Sequence, residues 1–227
     1  MSRFFVPAGA TSADRFPLPP SIEHQVRRVL RLSDGDRIVL LEGDGRQVLC
    51  RLDGADCVVE ARAAAGGEPR HRLTVCQALI KGDGLEQVVR HGTEIGVAAF
   101  QLIVTERCVV RDLSARRLER LQSIAREAAE QSERGVVPPI EAPVALLEVL
   151  TPSSVLLFER HDGVRLRELP PAGALVIGPE GGFTPAEVAA AEDAGATVAG
   201  LGPRILRSES VALAAAAVVL SQTGDFA

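Results

Sequence analysis

Ala174 to Leu220 reads ALVIGPEGGFTPAEVAAAEDAGATVAGLGPRILRSESVALAAAAVVL. Its first four residues, Ala174–Ile177, have the length and β-branched content of a buried strand. The run breaks at Gly178-Pro179-Glu180-Gly181-Gly182, and a helix follows with a full set of start signals. Thr184 is placed to cap it, Pro185 takes the first helical position, and Glu187 completes a Thr-x-x-Glu capping box. Gly195 ends that helix. A second apolar run, Thr197–Leu201, meets a second irregular loop, Gly202-Pro203-Arg204-Ile205-Leu206-Arg207. The Ala/Val/Leu-rich segment after it, Ser208–Leu220, reads as a helix packed on most sides.

Two strand-to-helix loops rich in Gly and Pro therefore sit within one βαβ stretch. In a parallel sheet such loops emerge at the carboxyl ends of the strands, where ligands bind. Glycines there let a ligand approach the backbone and leave amide groups free to donate. Taken alone, Gly-Pro-Glu-Gly-Gly reads equally well as a tight turn; the pair of loops favours a ligand site. Neither is a dinucleotide fingerprint or a phosphate-cradling P-loop, and the lysine such phosphate sites use is missing from both.

The remainder of the 227 residues sets the frame. Composition is that of a globular protein, with 46% hydrophobic and 24% charged residues. No apolar stretch approaches the ~18 residues of a membrane span, and MSRFFVPAG lacks the apolar core of a signal peptide, so a cytoplasmic protein is expected. Cys50, Cys57, Cys76 and Cys108 form no C-x-x-C pair and read as small buried residues. His24, His71, His91 and His161 are not spaced as metal pairs, so no metal is expected. The net charge of −5 argues mildly against indiscriminate nucleic-acid binding, although residues 1–72 are close to neutral and the acidity lies beyond them.

Read in order, residues 3–6 look like a first strand, and Pro17, Pro19 and Pro20 force an extended approach to a helix from Ser21 to Leu32. Ile22, Val26, Val29 and Leu30 fall on one face of that helix. Arg27, Arg28 and Arg31 lie off that face, as a solvated surface or as a phosphate-contacting patch. Strands at Arg37–Leu41, Gln47–Leu52 and Cys57–Ala61 are separated by Gly-containing turns, which implies a compact β unit. The small-residue stretch 63–69 marks a boundary. Beyond it strands and helices alternate: a strand at Leu73–Ile80, a helix ended by Gly96, and a strand at Phe100–Val104. A long helix follows from Ser114 to Glu133, then a short helix over Val144–Leu150 and a strand at Val155–Phe158. That alternation means a parallel sheet covered on both faces.

The two loops, GPEGGFTPAE and LGPRILRSES, closely resemble those of the SPOUT methyltransferases. Within them the likeness is to the group that methylates N3 of a uracil in small-subunit (16S) ribosomal RNA. Supporting pieces lie in the same order along the chain: Arg3-Phe4-Phe5-Val6, Val29-Leu30-Arg31-Leu32, Thr93-Glu94-Ile95-Gly96-Val97, Glu106-Arg107, and Glu127 to Ser132. The resemblance implies an α/β fold in which residues 73–227 form a parallel sheet with a trefoil knot. Residues 1–68 would form a PUA-like β-barrel that binds RNA, with Arg3, Arg27, Arg28 and Arg31 as its contacts. It also implies S-adenosylmethionine as methyl donor and a homodimer, with the Glu127–Arg134 region near the interface; a helix held by Glu130 and Arg134 suits the same residues.

By the same resemblance, Gly178, Glu180, Gly181, Gly182, Leu201, Gly202, Ile205 and Leu206 would hold the donor. The uracil imide is a poor nucleophile until its proton leaves, and a positive group beside the base oxygens would favour the anion. Arg207 is the candidate, with Glu209 or Glu180 as proton acceptor. Glu209 reads equally as a first-turn carboxylate, and Arg207 as a phosphate contact. The chain departs from the family pattern at Ser208 and Ser210, where the family commonly has Thr; the hydroxyls survive, so a cap on the last helix is expected. His91 stands where a basic residue is usual, Gly92 breaks into a helix, and a basic residue is missing near Asp83-Gly84. Rival readings are a SPOUT enzyme acting on another nucleotide or on transfer RNA, and a non-catalytic RNA-binding assembly factor.

Overall fold

A computed structural model describes residues 1–159 and 163–226; His161 lies outside them. The described chain forms two compact units. One comprises Met1–Glu68 together with Ala129–Val137, the other Pro69–Ala128 and the residues from Pro138 onward.

The first unit is a five-stranded sheet. Its strands are β1 (Arg3–Phe5), β2 (Arg15–Pro17), β3 (Arg37–Leu41), β4 (Arg46–Asp53) and β5 (Asp56–Ala64), in the order β1-β3-β4-β5-β2. β1 runs parallel to β3 and the other pairs are antiparallel. Strand alternation distributes the apolar residues between two faces. Phe4, Ile38 and Leu40 join the main core with Phe16, Ile22 and Val26, while Phe5, Val39 and Leu41 pack with Ala129 on the other side. Tying Ala129–Val137 to this unit are hydrogen bonds from the Phe5 amide to Glu130 Oε1 (2.8 Å) and from the Gly135 and Val136 amides to Glu68. Arg134, itself fully buried, also donates to Glu68.

The helix expected over Ser21–Leu32 is shorter and changes its winding. α1 (Pro20–His24) passes into a π-turn over Gln25–Val29, where the Leu30 amide reaches back to Gln25 O. A wider turn rotates later residues off the buried stripe. Ile22 and Val26 are buried as the spacing predicts, but Val29 and Leu30 are not: they are 62% and 43% exposed. β2 falls in the stretch read from its prolines only as extended chain.

The second unit is a six-stranded sheet in which every pairing is parallel. Along the chain come β6 (Thr74–Ala78), α2 (Gly84–Glu94), β7 (Ala99–Val104), α3 (Ala115–Gln131, whose residues from Ala129 onward belong to the first unit) and β8 (Ile140–Ala145). Then follow β9 (Ser154–Leu157), β10 (Ala174–Ile177), α4 (Pro185–Asp193), β11 (Thr197–Ala199) and α5 (Ser208–Gln222). β6, β9 and β10 are buried along almost their whole lengths, so both faces of the sheet are covered. Gly92 in α2 has a packing reason: a Cβ there would lie 2.8 Å from the Phe100 ring.

Two expectations need correction here. In place of a helix over Val144–Leu150, β8 runs to Ala145 and only a 3₁₀ turn, Leu146–Val149, follows. Pro138-Pro139 delivers an extended chain, and an edge strand tolerates Pro143. The strand expected over Thr197–Leu201 stops at Ala199, with Gly200 making only an isolated bridge to Arg165.

The strand order is β11-β9-β10-β6-β7-β8. From β6 the chain moves outward through β7 to β8, then returns to fill the other side of β6. The order therefore reverses between β6 and β10, a switch point at which open parallel sheets bind ligands beyond their carboxyl ends.

Candidate active site

Three of the segments that leave the sheet at this edge begin with a glycine-bearing turn. The first, Gly178–Phe183 after β10, is braced from several directions. Arg107 Nη1 donates to Gly181 O (2.9 Å) and Phe183 O (3.2 Å). Glu180 Oε1 accepts from the Lys81 amide at 2.8 Å. Gly182 adopts φ +66°, and a Cβ on it would meet the Glu159 carboxylate at 2.9 Å. α4 then starts as its sequence predicts. Thr184 Oγ1 accepts from the Glu187 amide, and the Thr184 amide donates to Glu187 Oε2 at 2.8 Å. The other Glu187 oxygen accepts from the Glu106 amide at 2.7 Å. Glu106-Arg107 after β7 is thus a buttress for the first loop.

The second loop, Leu201–Arg207 after β11, has a different character. Gly202 sits at φ +140° in open space, and Ile205 is 76% exposed. The third, Ile80–Asp83 after β6, turns at Gly82 (φ +64°), whose carbonyl accepts from Arg117 Nη2 at 2.7 Å.

Together with the end of β9 these loops enclose a cavity of about 540 Å³. Ile80, Leu157, Ile177, Phe183, Leu201, Leu206 and Val211 give it an apolar wall. Asp83, Glu159, Glu180 and Glu209 supply carboxylates, and Lys81, Arg204 and Arg207 supply cations. Volume and lining are those of an organic-ligand site with a few convergent polar groups. Acids and bases on one rim suit a cationic ligand that meets an anionic one. Cys76 lies in β6 below the site, and burial pushes its thiol up to about 12, so it stays protonated and is no nucleophile. Among the described residues no cluster of His, Cys, Asp or Glu is placed to hold a metal ion, and no helix is long and apolar enough to cross a membrane.

Gly178, Glu180, Gly182, Leu201, Gly202, Ile205, Leu206, Arg207 and Glu209 all line this one cavity. Gly181 belongs to the same loop, but the direction its Cβ would take faces Arg107. Arg3, Arg27, Arg28 and Arg31 lie in the first unit. Arg3 donates to Gln47 (2.8 Å) and Glu133 (3.0 Å); Arg27 donates to the Leu32 and Gly54 carbonyls. Arg28 and Arg31 are exposed. The cap expected from Ser208 is absent. Arg207 occupies the N-cap position without a side-chain cap, and the Ser208 hydroxyl donates instead to Gly178 O at 2.6 Å.

Sequence reasoning missed the third loop and Leu157–Glu159 as parts of the site. The third loop carried a usable signal, since Gly82-Asp83 joins a strand to a helix as the other loops do. Nothing local marks Leu157–Glu159, which reach the cavity because β9 lies between β10 and β11.

Residues 67–220 match the family model described as an RNA methyltransferase domain. The chain is 37% identical to the ribosomal RNA small subunit methyltransferase E of Synechocystis sp. over 88% of its own length and 69% of that protein's. It is 31% identical to the enzyme of the same name from Bacillus subtilis, over 98% of this chain and 97% of the other. The crystal structure of ribosomal RNA small subunit methyltransferase E from Neisseria gonorrhoeae bound to S-adenosyl methionine superposes with a TM-score of 0.88 at 30% identity. That superposition covers 97% of each chain.

Proposed function

The chain belongs to the RNA methyltransferase family, and from that we propose that it transfers a methyl group from S-adenosylmethionine to N3 of a uracil in 16S ribosomal RNA. One observation carries the reading on the side of the site: both family loops and a third glycine turn open into a single cavity at the switch point of the sheet. The residues present fit the donor. Glycine-rich main chain meets an apolar wall suited to a purine, and Asp83 and Glu159 are carboxylates for its cationic groups.

When bound, the donor supplies a methyl already made electrophilic by its sulfonium, so the hard chemistry is the cofactor's. The protein holds, orients and deprotonates. The first loop, fixed by Arg107 and Glu180, holds the donor; Leu201, Ile205 and Leu206 of the second close over it. Arg207 stabilises negative charge on the uracil oxygens as the imide loses its proton, and Glu209 accepts that proton. Positioning the nitrogen in line with the methyl supplies much of the rate.

The finer architecture is part of the same proposal. The second unit closes as a trefoil knot, the first is a PUA-like RNA-binding barrel, and two copies form a homodimer around the Glu127–Arg134 region. Exposed Arg28 and Arg31 meet RNA phosphates, while Arg3 and Arg27, committed to internal acceptors, shape the surface that does so.

The test is methyl transfer from labelled donor to small ribosomal subunits lacking their native modification, with free 16S RNA and transfer RNA alongside, and mapping of the methylated nucleotide. A single N3-methyluridine in 16S RNA is the expected product. Label in transfer RNA or at another base would assign the enzyme to a different substrate, and no transfer despite tight donor binding would make it a binding protein.

A further inference from the structure

Gln77 and Ser208 have no role in the reaction as described above, yet they form a buried side-chain hydrogen-bond chain that ties the start of α5 to the Gly178 loop. Gln77 is fully buried in β6. Its Nε2 donates to Ala78 O (3.0 Å) and to Ser208 Oγ (2.8 Å). Ser208, also buried, donates its hydroxyl to Gly178 O at 2.6 Å. A hydroxyl has one hydrogen to give. Because the amide of Gln77 already occupies a lone pair of Oγ, the Ser208 hydrogen is directed to Gly178. The chain therefore runs from β6, through the first residue of α5, to the first residue of the Gly178–Phe183 loop.

Stability does not account for Gln77. Its Oε1 is buried without a hydrogen-bond partner, and an unmet buried acceptor costs free energy that an apolar side chain of similar length would not. Local capping does not account for Ser208 either, since its hydroxyl leaves its own helix to reach another loop.

We propose that Gln77 and Ser208 are positioning residues for methyl transfer. They set the spacing between the Gly178 loop and the start of α5, the helix flanked by Arg207 and bearing Glu209. The inference rests on the functional reading above, in which one loop holds the donor and the other acts on the base. Displacing reacting groups by about 1 Å is enough to cost on the order of 100-fold in rate, so a single buried bolt between the two loops has leverage on the chemistry.

Four proteins test it: the unaltered chain, Ser208→Ala, Ser208→Thr and Gln77→Met. Each is measured for donor affinity by calorimetry, for kcat and both KM values with small subunits, and for melting temperature. Ser208→Ala is expected to weaken donor binding about tenfold and to lower kcat, with the KM for RNA unchanged. Ser208→Thr keeps the hydroxyl and restores both. Gln77→Met lowers kcat while melting no lower than the unaltered chain, which separates positioning from stability. Equal losses in Ser208→Ala and Ser208→Thr, unaltered kinetics in Gln77→Met, or losses that simply follow melting temperature would each overturn the proposal. If the unaltered chain fails to bind the donor, the functional reading falls and this inference with it. If it binds and Ser208→Ala binds equally well, only the positioning role falls.

Discussion

The two loops that carry the family signature are built to opposite standards. Gly178–Phe183 is held by Arg107, by the Lys81 amide through Glu180 and by Ser208, and it runs straight into a capping box. Residues 201–206 make no hydrogen bond within the described structure, and Ile205 stands largely in solvent. One side of the cavity is braced by hydrogen bonds, and the other is exposed and lightly held. Such a division suits a site that must admit a small donor and then a large nucleic acid, since binding to a preformed wall costs less ordering than binding to a free one.

The comparison breaks first, and by the largest margin, at Arg207. If the open loop carries the chemistry, Arg207→Ala lowers kcat by roughly 100- to 1,000-fold while calorimetry finds donor affinity little changed. A parallel loss of affinity would make Arg207 a binding residue. Gly182→Val strikes the braced wall instead. A β-branched residue at φ +66°, against the Glu159 carboxylate, strains the turn, and donor affinity is expected to fall about 100-fold with a drop of a few degrees in melting temperature.

Arg107→Ala sharpens the contrast further. It removes two donations to loop carbonyls and leaves those groups to water, for a loss of about tenfold in donor affinity; unchanged affinity would show that the brace is dispensable. The smallest effect belongs to Ile205→Ser, which shifts stability by less than about 0.5 kcal/mol because the side chain is already exposed. A larger destabilisation would mean that the second loop is packed in solution after all.

The thiol of Cys76 reports on the braced side without touching the cavity. Burial raises its folded pKa from 9.0 to about 12. The folded chain holds this proton more tightly than the unfolded one. Its contribution to stability is therefore fully present below pH 9 and is lost as pH rises towards 12. Near pH 8 a thiol reagent is expected to label Cys76 only on unfolding, and rapid labelling of the native protein would show that the wall opens.

Much of this was legible in the residues. Ala174–Ile177 and the Thr184-Pro185-Glu187 start signal are local chemistry, and the structure reproduces them residue for residue. The residues named from the two loops came from the family resemblance, and most of them line the cavity. What stayed hidden depends on distant parts of the chain. Whether Val29 packs depends on a π-turn that no apolar spacing encodes. Ser208 looked like a cap because a hydroxyl beside a helix start normally is one, and its true partner is fixed by where β6 and β10 lie side by side. Glu159 enters the site only because β9 slots between two strands that follow it in the chain.

Ala129–Val137 belongs to the amino-terminal unit although it is encoded some sixty residues after that unit first closes. A gene severed once, after Glu68, would yield a fragment whose Phe5 and Leu41 have lost Ala129 and whose Glu68 has lost the buried Arg134. Grafting this module onto another protein thus calls for two splices.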